Sequence, residues 1–215
     1  MFYGIIRESN TGYKRPSIGE LRKYNGVIIG EIHSGKMLSY YKSLITALKP
    51  EYFISELVHE DICLDRATLE DRLSKTTSGK FLKNIPDKQD NYEIYKLAYD
   101  YNLKLIGCDL ENGNYKNADD EMKQRESFML SRIKKYSKYK FICQVGDFHV
   151  RSIPIDEEFC KTMKLSSTDN TGNRSYPIYV HFASSIWKAF ENSKDVIISR
   201  EPEQYNRELE YSRRE

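Results

Sequence analysis

Apolar residues fall along the chain in two rhythms. Short, mainly apolar runs occur at 26–30, 51–57, 103–110 and 141–145. Runs of that length bounded by turn residues predict buried strands. Between the first two, Met37, Leu38, Tyr41, Leu44, Ile45 and Leu48 recur at helical spacing, and Pro50 closes the stretch. Strand, helix of about a dozen residues, strand is the signature of a parallel βαβ pair. Helical spacing returns at 92–101 and again at 118–138, where it predicts a long amphipathic helix.

The polar stretch 59–90 is mixed: 61–73 could be helical, 74–79 reads as a loop and Pro86-Asp87 as a turn. It is expected to form an insertion or lid. Toward the C-terminus, 177–182 predicts a fifth strand, 186–192 a helix and 195–199 a short last strand, with a polar loop at 166–175. The charged segment 201–215 is expected to be a flexible tail or a solvated helix. Strands alternating with helices predict an α/β protein, one domain over 1–215 with a mainly parallel central sheet flanked by helices.

Composition narrows the function classes. The chain has 34 Lys+Arg against 32 Asp+Glu, a formal net charge of +2, without the strong basic excess of an electrostatic nucleic-acid binder. Charge follows the first residues too soon for a signal peptide, and no run approaches bilayer-spanning length. A soluble, cytoplasmic protein with no membrane partner is expected, acting on a small-molecule or peptide substrate. Cys63, Cys108, Cys143 and Cys160 form no Cys-x-x-Cys pair, so neither a disulfide framework nor a structural zinc site is expected. Cys108 and Cys143 lie within apolar runs and read as small buried hydrophobes.

Chemistry concentrates where strands end. Gly30-Glu31-Ile32-His33 follows the first apolar run and Gly146-Asp147-Phe148-His149 follows the fourth, each a Gly-x-x-His with an acid after the glycine. Glu56 and Asp109 close the two strands between them. The C-terminal ends of parallel strands share one edge of a sheet, where ligands bind. Two imidazoles and a carboxylate, His33, His149 and Glu56, are a common first shell for a catalytic divalent metal, which lowers the pKa of its bound water. Glu31 could then act as general base. The glycines read as permitting a sharp turn off each strand. Asp109 could equally cap its loop. His59 reads as a surface residue, His181 as a satisfied histidine in a strand, and Arg125 as part of a solvated helix face.

The ordered set Gly30-Glu31-Ile32-His33, Glu56 in Ile54-Ser55-Glu56-Leu57, Arg125 with Met129, and Gly146-Asp147-Phe148-His149 resembles the superfamily of Tiki and TraB/PrgY proteins, ChaN-like haem-uptake proteins and erythromycin esterases. The Tiki branch implies a metal-dependent peptidase using His33, His149 and Glu56 with manganese, cobalt or zinc. The esterase branch implies water activated by Glu and His without an obligatory metal, and the ChaN branch haem binding. The family's helical arginine maps to Arg125, where it could hold a carbonyl oxygen or an anion. The expectation is a hydrolase of ester, amide or phosphoester bonds. Glu31, His33, Glu56 and His149 would do the chemistry, and Asp109, Arg125 and Asp147 would bind or orient the substrate. The alternative is a haem- or metal-ligand-binding protein without turnover.

Overall fold

A computed structural model describes residues 15–31, 37–59, 63–77, 86–110, 115–155, 180–200, 202 and 205–208. Its centre is a sheet of β1 (Gly26–Glu31), β2 (Tyr52–His59), β3 (Cys63–Leu64), β4 (Lys104–Asp109), β5 (Phe141–Gly146) and β6 (Val196–Ser199), in the order β3-β4-β2-β5-β1-β6. All neighbours pair parallel except the two-residue edge strand β3, which is antiparallel to β4. The architecture is α/β, and β5 lies between β1 and β2 so that their C-terminal ends sit side by side.

The strands are apolar on both faces because both faces are covered. Val27, Ile29, Phe53, Leu105 and Ile142 pack with Tyr41, Leu44 and Ile45 of α2 (Leu38–Leu48) and Ile94 and Leu97 of α4 (Pro86–Asp100). The alternate residues Ile28, Ile54, Ile106, Cys143 and Val145 pack against Met129 and Ile133 of α5 (Ala118–Tyr136) and Ile186 of α6 (Ser185–Phe190). Two further helices are α1 (Ile18–Leu21) and α3 (Arg66–Thr77). Cys108 and Cys143 are free and buried, and burial followed by the neighbouring Cys143 pushes the Cys108 thiol well above its ordinary range. They behave as small hydrophobes.

Helix boundaries follow local chemistry. The Asn117 side chain accepts from the Asp120 amide at 2.9 Å, with Asp119, Asp120 and Glu121 in the first turn of α5 and Lys134 and Lys135 in its last. The helix at 92–101 reaches back to Pro86, where a turn was expected; proline suits a first helical turn, which needs no N–H. The stretch 59–90 is less separate than an inserted lid: β2 runs on to His59, β3 adds to the sheet edge, and Arg66 of α3 donates to Tyr99 O at 3.0 Å. Of the strand expected at 177–182, Val180 forms an isolated antiparallel bridge with Ile155, and residues 177–179 lie outside the described residues. So does the loop at 166–175. The tail differs from the sequence expectation: Tyr205 and Glu208 are buried, Tyr205 against Trp187.

Candidate functional site

Chain direction reverses after β5 through a 3-10 turn, Asp147–Val150. Gly146 sits at φ −59°, ψ 144°, open to any residue, so the expected special turn conformation is not what a glycine supplies there. At Gly30 the reason is space. A Cβ there would lie 2.4 Å from Val150 Cγ2 and 2.8 Å from Asp147 Oδ1, so the bare backbone of β1 lets the turn dock.

The turn buries His149 between two carboxylates. Nε2 stands 3.7 Å from Glu56 Oε2 and Nδ1 stands 3.7 Å from Glu126 Oε1. The His149 side chain is 6% exposed, Glu56 8% and Glu126 0%, so water screens these charges little. Each carboxylate is held. The Gly146 amide donates to Glu56 Oε2 at 2.7 Å. Glu126 accepts from Arg151 Nη1 at 2.5 Å and from the Ser185 amide at 3.0 Å. Burial raises the Glu126 carboxyl, but His149, Arg151 and the Ser185 amide together outweigh it and hold Glu126 below its ordinary value. Ser184 Oγ donates to the backbone carbonyl of His149 and so ties down the turn that carries the imidazole.

Beside Glu56 lies the Arg125–Asp109 pair. Arg125 donates through Nε and Nη2 to the two Asp109 oxygens at 2.9 and 3.0 Å, and the Glu56 charge reaches it. Both side chains are about one-fifth exposed (23% and 18%), so this guanidinium still meets solvent. Arg125 is thus not on a solvated helix face but turned onto the strand end.

The expected residues divide between two faces of the sheet, because side chains alternate along a strand. Glu56 and His149 come together on the α5 face. Glu31 lies on the α2 face, where Tyr41 Oη donates to it at 2.8 Å and Gln144 Nε2 also donates; Ser55 Oγ donates to Gln144 Oε1 at 2.6 Å. Burial and Glu31 push the Tyr41 hydroxyl well above its ordinary pKa. Asp147 is engaged inward: Arg200 donates to both its oxygens at 3.0 and 2.6 Å and also reaches Glu208 at 2.8 Å. Asp147 and Glu208 more than offset the effect of burial and hold the Arg200 proton more tightly than usual. His181 is not a core or sheet-face histidine: its side chain is 74% exposed and pairs with Asp119 at 2.8 Å. His33 lies outside the described residues.

Glu126 escaped the sequence reading, although a signal was present. Met122, Glu126, Met129, Ile133 and Tyr136 form one buried stripe of α5, and an acid in an apolar stripe requires a buried partner. Arg151 is that partner, and it also donates to Phe148 O and Phe182 O at 2.5 and 3.1 Å.

Among the described residues no group of three or more His, Cys, Asp or Glu side chains is placed to hold a metal ion. Glu56 and His149 provide two donors, and the second imidazole nitrogen faces a carboxylate already locked to Arg151. The third expected ligand, His33, lies outside the described residues.

No family model matches the chain, and no curated protein does. Among solved structures it is similar to RRSP, a MARTX toxin effector domain from Vibrio vulnificus, at 12% identity and TM-score 0.46, over 82% of this chain and 41% of that one. It is similar to the type III effector HopBA1 at 17% identity and TM-score 0.41, over 86% and 91%. A third is the C-terminal region of Pasteurella multocida toxin, described as having a thiol-protease-like catalytic triad, at 15% identity and TM-score 0.40, over 81% and 28%. The chain spans 36–41% of the length of three such toxin chains. These likenesses correct the resemblance drawn from the motifs. These structures are bacterial toxin and effector domains, not Tiki, TraB/PrgY, ChaN-like or erythromycin esterase proteins.

No helix among the described residues is long and apolar enough to cross a membrane.

Proposed function

We propose that the protein is a hydrolase in which His149 activates water for attack on an ester, amide or phosphoester bond. One observation carries the reading: a buried imidazole with a carboxylate 3.7 Å from each ring nitrogen, one of them fixed by a buried arginine. A neutral imidazole takes a proton from water as the water's oxygen bonds to the substrate carbonyl carbon or phosphorus, and the proton then passes to the leaving group. The imidazolium that forms between those events meets Glu126 and Glu56, which favour it in a site that water screens weakly. Arg125, oriented by Asp109, faces the negative charge that develops on the substrate oxygen. Nδ1–H turned toward Glu126 leaves the Nε2 lone pair for a water lying between Nε2 and Glu56.

The test is a screen of p-nitrophenyl esters, peptide p-nitroanilides and bis(p-nitrophenyl) phosphate against the wild type and Glu56→Gln. Turnover of at least one class by the wild type, reduced about 10²-fold or more in a folded Glu56→Gln, supports the reading. Turnover unchanged in Glu56→Gln overturns the assignment of this site, and turnover of none of the three classes overturns the hydrolase.

A further inference from the structure

The end of the sheet opposite the site is basic. Because the sheet is parallel, every long strand starts on one edge, and a lysine stands at or within three residues of each start: Lys23, Lys49, Lys104, Lys140 and Lys194. All are exposed. Backbone hydrogen bonds tie these starts into one row: Asn25 N to Asp195 O at 2.8 Å, Phe141 N to Asn25 O at 3.0 Å, Glu51 N to Lys140 O at 2.8 Å and Lys104 N to Glu51 O at 3.0 Å. With Lys138 the row holds six lysines against the exposed Glu51 and Asp195, an excess of four in a chain whose net charge is +2. Asp100, close by, is already paired with Lys96 at 2.5 Å.

Aromatic rings stiffen the middle of this edge. Tyr52 packs at a tilt against Tyr136 and Tyr139, with ring centroids 4.7 and 5.1 Å away. The ammonium groups of Lys104, Lys135 and Lys138 stand 5.1–5.5 Å over the rings of Tyr52, Tyr136 and Tyr139. Lysine stems laid on a tyrosine platform keep their charged heads outward at little further entropic cost. Attraction to the dipole of α5 explains Lys134 and Lys135, at its last turn, but not the lysines at five strand starts.

We propose that this edge docks on an anionic lipid surface. Tyr52 and Tyr136 are packed against each other and buried, so they offer no face for a nucleic-acid base to stack on. The lysine charges are point-like ammonium groups spread over a broad row, with the exposed Arg22 guanidinium beside Lys23 at one end. Such a row suits a diffuse field of headgroups, and peripheral docking needs no spanning helix. Bound this way, the protein turns the His149 site away from the bilayer.

The experiment is sedimentation of the full chain with phosphatidylcholine vesicles containing about 30% phosphatidylserine, at low salt and at about 0.5 M NaCl. The wild type is compared with Lys104→Gln/Lys138→Gln/Lys140→Gln and, as a charge-matched control elsewhere, Lys42→Gln/Lys123→Gln/Lys188→Gln. Circular dichroism confirms that each variant is folded. Each lysine near an anionic surface is worth about fivefold in partitioning, so the triple variant loses about a hundredfold. The control keeps most of the wild-type partitioning, and high salt abolishes it. Equal binding to phosphatidylcholine alone, or equal losses in the triple variant and the control, would overturn the assignment. So would tighter binding to a single-stranded oligonucleotide than to vesicles, which gives the edge to nucleic acid instead.

Discussion

Replacing Glu126 with glutamine tests the site and the fold together. The side chain is fully buried and its carboxylate meets Arg151 Nη1 at 2.5 Å, His149 Nδ1 at 3.7 Å and the Ser185 amide at 3.0 Å. Glutamine keeps an acceptor of the same shape but removes the charge that compensates the buried Arg151 guanidinium. Removing one partner of a buried pair costs about 3–5 kcal/mol, and a retained hydrogen bond brings the loss down to about 2–3 kcal/mol. The assay is urea unfolding of wild type, Glu126→Gln, Arg151→Met and the double variant. The cycle is expected to show coupling of about 2 kcal/mol or more. The loss also depends on pH. Because Glu126 is held below the ordinary glutamate value of 4.5, its stabilisation is fully present above that pH. It is lost as pH falls through the depressed folded value, so wild type and Glu126→Gln converge in acid. Independent losses that simply add, or a difference constant from pH 7 down to pH 3, would refute the reasoning.

Gly30→Ala places a methyl 2.4 Å from Val150 Cγ2 and 2.8 Å from Asp147 Oδ1, so the 3-10 turn must move; a loss of about 1–3 kcal/mol is expected in chemical denaturation. Arg200→Met leaves Asp147 and Glu208 buried without their shared cation, for about 3–5 kcal/mol, and limited proteolysis should then cut first after residue 200. Tyr41→Phe removes the hydroxyl that donates to Glu31 at 2.8 Å, and should cost about 1–3 kcal/mol in thermal unfolding while leaving the α5 face of the site in place.

The central strands and the long helices were legible because burial on both faces writes an unbroken apolar run and burial on one face writes a helical stripe. The run at 26–30 became β1 and the stripe at 118–138 became α5, to within a few residues. Convergence of Glu56 and His149 was legible for a topological reason, since parallel strands end on one edge. The face on which each side chain lies was not used, and it matters: Glu31 and Glu56 both close strands yet lie on opposite sides of the sheet. Buried ion pairs were the least legible. Arg200 meets Asp147 from 53 residues away, and Arg151 meets Glu126 from 25, separations over which sequence pattern carries no pairing information. Glu126 stands in the apolar stripe of α5 with Met122, Met129 and Ile133, so its burial was written in the helical spacing and its partner was not.

Chemical rescue tests the central claim most directly. His149→Ala opens a buried, charge-lined space of imidazole size beside Glu56 and Glu126. On whichever substrate class the wild type turns over, the folded variant should be about 10²–10⁴-fold slower and should regain rate saturably with added imidazole. Combining it with Glu126→Gln should weaken that recovery. Undiminished turnover by His149→Ala without imidazole would contradict the account, because water would then be activated by some other group.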